Sequence, residues 1–361
     1  MKKAINTILL SSLVAMTFSS CNMDEEYLGN WINKENQMPA KGRAGATCFV
    51  IDDKAYLVGG RGHYKTEVYY LDTWQFDPDT YSWTQFDTVP AQKGRWYGVG
   101  FAIDGKGYYG TGRGKSGVYF KDFYEFDPSQ PAGSQWTVTD SMPGEPIYGM
   151  IGFSINGVGY AGTGDTKSMG YCNTFYEYHP ENPAGEKWSI VPNINPTKRS
   201  LGSVFVIDDR AYIIGGISNS VYVESFERFD PSYDKGENRW YKISQDFNYD
   251  YRSSKYLKIK RYGAAAFSIN GRGYICCGYY GAVKSDVWEY IPFVGRDNLG
   301  KWTEVCSFEG SARHSCQGFA VGQTGYVLCG ASDIVYTQDG SFLDDIYMFH
   351  PQEDYDELQS R

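Results

Sequence analysis

The segment GYYGTGRGKSG, Gly107 to Gly117, has the look of a phosphate-binding loop, and how it is read decides the fold. Such a loop places four residues between its first glycine and the closing Gly-Lys-Ser/Thr, so that backbone N–H groups and the lysine converge on one phosphate chain. Gly110 and Gly114 enclose only three. The spacing excludes the nucleotide reading, and a related segment, GYAGTGDTKSMG, begins 52 residues later at Gly159.

The recurrence is the informative feature, because a fixed period identifies a repeat architecture before any local motif does. A tyrosine followed three residues later by a small residue and then by glycine falls at Tyr56, Tyr108, Tyr160, Tyr212, Tyr274 and Tyr326, in steps of 52, 52, 52, 62 and 52 residues. Each copy carries four strand signals. The first is an apolar or alternating run such as ATCFVI, Ala46 to Ile51, and the second is the tyrosine segment. Between them stand pairs such as Asp104-Gly105, Asn156-Gly157 and Asn270-Gly271, which supply the positive φ of a two-residue hairpin turn. The third strand ends in an aromatic two residues before a proline in every copy: Phe76, Phe126, Tyr178, Phe229, Tyr290 and Phe349. The fourth carries Trp83, Trp136, Trp188, Trp240 or Trp302.

Four antiparallel strands repeated six times cannot bury a face alone but do so by stacking radially, which predicts an all-β, six-bladed propeller. Composition agrees: 32 Tyr, 20 Phe, 9 Trp and 42 Gly among 361 residues favour strands and turns. The sixth copy lacks a tryptophan strand, but Trp31 precedes Arg43 by the same interval as Trp83 precedes Arg95. Residues 28–34 are therefore expected to complete the last blade and lock the termini together. The expected organisation is a propeller over 28–351, with blades starting near residues 43, 95, 147, 199, 261 and 313, and a tail over 352–361.

The glycine pair after the second strand, the aromatic of the third and the tryptophan of the fourth resemble the kelch repeat. The resemblance covers nearly the whole chain after Tyr27. It implies the propeller fold and leaves function open, since kelch propellers include oxidases, epimerases and binding modules.

The N-terminus, MKKAINTILLSSLVAMTFSSC, joins two lysines to an apolar run and small residues before Cys21, the layout of a secretory signal over residues 1–20. Its small-small-cysteine ending resembles a bacterial lipobox, with Phe18 departing from the usual leucine, and implies lipid on Cys21. The acidic NMDEEY that follows resembles the export tag of surface lipoproteins in the Bacteroides group, with residues 21–27 as a tether. Localisation is expected at the outer membrane through the lipid anchor alone. The formal charge of −9 excludes a nucleic-acid partner, whose phosphates need clustered Lys and Arg. Seven cysteines beyond Cys21, without regular spacing, form neither a disulfide framework nor a zinc site.

In a four-stranded meander, the loops joining strands two and three share one face with the blade junctions, and a site is expected there. Aligned on their tyrosines, the copies place Arg43, Arg95, Arg199, Arg261 and Arg313 at one position, with Ile147 the exception. Two readings stand side by side: internal pairing with carboxylates or neighbouring carbonyls, and an annulus of guanidinium groups at the channel mouth for a carboxylate or sulfate. Positions that differ between blades are the better contacts for an asymmetric ligand: Arg61, Arg113, Asp165 and Tyr279 after the glycine pair, and Trp96, Tyr148, Tyr262 and His314 beside the arginines. Aromatics among charged groups suit a sugar ring, so a glycan or protein ligand is expected. The longer junction over 241–260 is expected to be a contact arm.

No cofactor or metal is expected. A copper-radical oxidase similar to the galactose oxidases needs two histidines, two tyrosines and a cross-linked cysteine; of His63, His179, His314 and His350, only His63 and His314 are expected on the loop face, and that resemblance implies seven blades and extra domains where six repeats stand here. Bacterial sialic acid mutarotases are six-bladed kelch proteins of about this length, and that resemblance implies an acid and a base near the anomeric centre. Glu145 and Asp165 are the candidates.

Overall fold

An antiparallel hairpin reverses most easily through two residues of left-handed backbone, whose twist matches the strands they join. Asp52 and Asp53 adopt φ of 48° and 58°, Asp104 and Gly105 adopt 47° and 77°, and Asn270 and Gly271 adopt 49° and 72°. In the computed structural model, which describes residues 28–34, 38–63, 65–192, 196–233, 239–244, 259–294, 299–334 and 341–354, such turns open five of six antiparallel sheets, and in the sixth Gly322 alone is left-handed, at φ 58°. Blade 1 runs Thr47–Ile51, Lys54–Val58, Thr73–Asp77 and Ser82–Phe86. The innermost strands of the others are Val99–Ile103, Ile151–Ile155, Ser203–Ile207, Ala265–Ile269 and Gln317–Val321. Each packs against the next and the last against the first, so the circle closes.

The repeat is explained by one aromatic arrangement. The inner-strand Phe101 stacks on Tyr108 of its own blade at 5.6 Å and meets Tyr178 of the next blade at 6.0 Å. Phe153 does the same with Tyr160 and Phe229, and Phe205 with Tyr212 and Tyr290. Phe319 of blade 6 completes the series on Tyr326 and Phe76 of blade 1. The residue before each second-strand tyrosine has to be small. A Cβ on Gly107, Gly159 or Gly273 would sit 2.2 Å from the phenylalanine ring of the preceding blade.

The N-terminal strand Leu28–Ile32 pairs with the third strand of blade 6, Ile346–Asp354, setting Trp31 opposite Phe349. Its ring lies 4.7 Å from that of Phe349 and 4.8 Å from Phe308. Trp83 stands 5.1 Å from Phe76 and Trp136 stands 4.8 Å from Phe126, so Trp31 fills in blade 6 the place these tryptophans fill in their own sheets. The partner strand continues past Pro351 to Asp354, opposite Leu28, so the propeller extends beyond residue 351. Cys21, the signal, the tether, most of the 241–260 arm and residues 355–361 lie outside the described residues. The seven cysteines after Cys21 are unpaired; Cys276, Cys277, Cys306, Cys316 and Cys329 are buried as small apolar groups.

Glu309, in the junction between blades 5 and 6, has both carboxylate oxygens buried without a hydrogen-bond partner. Burial raises its pKa to about 7 from the usual carboxyl range. The folded chain thus holds this proton after the unfolded chain has released it. Stability falls as pH rises from about 4.5 to about 7 and stays lowered above. Glu309→Gln should leave thermal unfolding at pH 4 nearly unchanged and raise stability at pH 8 by about 1 kcal/mol, a figure reduced for the partial exposure of the rest of the side chain. An equal effect at both pH values would contradict this.

Candidate functional site

The repeated arginines are buried. Arg43, Arg95, Arg199, Arg261 and Arg313 are at most 1% exposed. Arg43 donates two parallel bonds to Asp72, at 2.6 and 2.9 Å, and Arg95 two to Asp122, at 2.6 and 2.7 Å. Arg261 pairs with Asp286, Arg313 with Asp345, and Arg199 with Glu227 and Ser225. Each Nη1 also donates to the carbonyl at the end of its blade's second strand, that of Gly59, Thr111, Gly215, Cys277 or Cys329. Burial alone would push the Asp286 carboxyl up, but the charge and hydrogen bonds of Arg261 outweigh it and hold the group below its ordinary range. Of the two readings of the arginine series, this geometry is internal pairing; it leaves no guanidinium annulus facing the channel.

The mouth is built instead from the residues two positions further on. Gly45, Tyr97, Gly149, Leu201, Gly263 and Ser315 all adopt φ between 52° and 67°. Each N–H donates to the carbonyl of its counterpart in the preceding blade, and Gly45 N–H donates to Ser315, at 2.6 to 3.0 Å, so six hydrogen bonds form an unbroken circle. A second circle lies beside it. The N–H groups of Gly60, Gly112, Gly164, Gly216, Gly278 and Gly330 donate to the carbonyls of Arg95, Ile147, Arg199, Arg261, Arg313 and Arg43, at 2.6 to 2.9 Å. The second glycine of each pair is needed because it sits at φ from 89° to 113° against neighbouring backbone.

Below the mouth lies a cavity of about 220 Å³, lined from all six blades by residues that include Thr47, Gly100, Ser203 and Gln317. Tyr97 spans its mouth. The phenol donates to Ser315 Oγ at 2.6 Å, joining blade 2 to blade 6 over Gly45. Ser315 in turn bonds His314 Nδ1 at 2.9 Å, while His314 Nε2 lies 3.4 Å from the Asp333 carbonyl. Burial lowers the His314 pKa against the opposing pull of that carbonyl, so the imidazole is neutral and Nδ1 accepts from the serine. His314 is only 2% exposed and acts through this chain.

The variable positions come together in pairs. Ala44 bridges to Arg61, Trp96 to Arg113, Tyr148 to Asp165, Ser200 to Ile217, Tyr262 to Tyr279 and His314 to Ala331, so the residues after the glycine pairs and those beside the arginines form one belt around the mouth. Trp96 is largely covered, with Tyr97 stacked on it at 4.3 Å and the Arg61 guanidinium at 4.9 Å. Tyr97, Tyr148, Tyr262 and Tyr279 are half-buried and present ring surface. Arg113 lies between Tyr119 and Tyr148, 5.9 and 5.8 Å from their ring centres.

Asp165 accepts the Tyr148 hydroxyl at 3.0 Å. Glu145 is exposed and takes the Ser168 hydroxyl at the turn of the long blade-3 hairpin, Val158–Thr166 and Gly170–Tyr178. Among the described residues no three His, Cys, Asp or Glu side chains gather as metal ligands, and no helix is long and apolar enough to cross a membrane.

Sequence reasoning missed Tyr97 and Ser315. Their signal was positional, two residues after each aligned arginine. A six-bladed propeller whose junction loops gather aromatic and charged side chains around the axis is the class this geometry defines. Residues 12–288 match the Attractin/LZTR1 β-propeller family, and the chain belongs to that family. No curated protein matches it.

Proposed function

We propose that this chain is an exported, lipid-anchored binding module that holds a carbohydrate on the loop face of its propeller. The observation that carries the reading is the belt of half-buried tyrosines around the mouth, Tyr97, Tyr148, Tyr262 and Tyr279, set among Arg61, Arg113 and Asp165. Ring planes suit the C–H faces of a sugar, and the interleaved polar groups suit its hydroxyls. The kelch-like repeat supports a scaffold of this kind. The lipobox-like ending at Cys21 supports anchoring: some seven residues of tether before Leu28 reach at most ~25 Å, which holds the propeller close to the outer membrane.

Catalysis is the lesser reading. For a sialic acid mutarotase the acid and base would be Glu145 and Asp165, and both are engaged within blade 3, by Ser168 and Tyr148. Binding without turnover needs neither to be freed.

A glycan array probed with the lipid-free chain tests the proposal. Binding should be specific, and Tyr148→Ala or Tyr262→Ala should weaken it at least about tenfold, in line with the loss of a central aromatic contact. A folded chain that captures no glycan would overturn the carbohydrate reading, and a protein ligand would take its place.

A further inference from the structure

Two arginines occupy equivalent places in neighbouring blades and differ in one respect. Arg61 pairs across its hairpin with Tyr69, and Arg113 with Tyr119. Each also lies over an aromatic of the following blade, Arg61 at 4.9 Å from Trp96 and Arg113 at 5.8 Å from Tyr148. Two residues before the hairpin tyrosine, blade 1 has Glu67 and blade 2 has Gly117, both left-handed at φ 45° and 69°. Glu67 bonds Arg61 at 3.1 Å. Gly117 offers nothing, yet a Cβ placed on it would have one neighbour within 4 Å, Arg113 Nη2 at 3.9 Å.

Blade 2 thus keeps the seat of the counter-ion without the counter-ion. Among the described residues no carboxylate lies within ion-pair distance of Arg113. Asp165 takes the Tyr148 hydroxyl, and the exposed residues at the hairpin tip, Lys115 and Ser116, bring a second cation and no acid. A half-buried guanidinium with unused donors between two tyrosine rings is a fork for a planar carboxylate, with an aromatic wall for the ring that bears it.

We infer that Arg113 is the anion subsite of the loop face and that its ligand is a sugar carrying a ring carboxylate, of the hexuronate class. The inference rests on the carbohydrate reading and sharpens it: the ligand supplies in blade 2 the acid that Glu67 supplies in blade 1.

Isothermal titration of the lipid-free chain with a galacturonate oligosaccharide and with its neutral galactose counterpart tests both levels. The wild type should prefer the acidic sugar at least tenfold. Arg113→Gln should abolish that preference, and so should Gly117→Glu, which restores the blade-1 arrangement and leaves the arginine in place. The neutral sugar should bind the Gly117→Glu protein within twofold of wild type. Equal affinity of the wild type for both sugars would overturn the subsite and spare the carbohydrate reading, whereas binding of neither would overturn both. Preference retained in a folded Gly117→Glu protein would also overturn the subsite.

Discussion

Removal of Leu28–Ile32 should abolish cooperative folding, and Trp31→Ala alone should cost about 3–5 kcal/mol, the loss of a fully buried large aromatic with a cavity left behind. Trp31 is 0% exposed and is wedged between Phe308 and Phe349. Without its strand, the third strand of blade 6 becomes a long open edge from Ile346 to Asp354, a template for association with other chains. Urea unfolding checks the substitution, and size-exclusion chromatography of the truncated chain checks the edge. A Trp31→Ala midpoint equal to wild type would mean that the first strand only lies beside the ring and does not close it.

Arg261→Ile should be nearly as damaging, because it strands Asp286, a largely buried carboxylate, beneath the loop face beside the Trp288 indole. Breaking one partner of a buried pair costs about 3–5 kcal/mol, while replacing both with well-packed uncharged groups is often neutral. Blade 3 already shows the uncharged version. Where the other blades have arginine it has Ile147, and four residues before its blade aromatic it has Thr174 in place of aspartate. Arg261→Ile with Asp286→Thr should therefore recover most of the loss in denaturant titrations. The pH dependence separates the variants. In the wild type, Asp286 is held below the ordinary carboxyl range, so its contribution is present above about pH 4 and is lost as pH falls through the folded-state value. In Arg261→Ile the lone carboxylate is relieved by protonation, and the gap to wild type should narrow on acidification.

The partner of each arginine was legible in the chain. Asp72, Asp122, Asp286 and Asp345 stand four residues before Phe76, Phe126, Tyr290 and Phe349, and blade 3 lacks arginine and acid together. That joint absence marks a structural pair, and it distinguishes the two readings of the arginine series without coordinates. Blade 4 obscures it, since Ser225 holds the aspartate position and Glu227, two residues on, supplies the charge. Fold and closure were readable because a 52-residue period, paired turn residues and Trp31 all record local chemistry in residue type.

The mouth was not readable in that way. Nothing in a tyrosine or a leucine announces left-handed backbone, and at Tyr97 and Leu201 it is imposed by a hydrogen-bond circle that exists only once the blades have met. Arg61 and Arg113 could be named from the sequence, but the contrast between Glu67 and Gly117 could not. The blade-2 hairpin is two residues shorter between arginine and tyrosine, which shifts a simple alignment out of register.

Hydrogen exchange of the lipid-free chain, with and without a bound acidic oligosaccharide, tests most directly that recognition resides on the loop face. Protection should appear at Arg113–Tyr119 and around Tyr148 and Tyr262, while the tight turns at Asp104-Gly105 and Asn270-Gly271 on the opposite face stay unchanged. Protection confined to those turns would contradict the account.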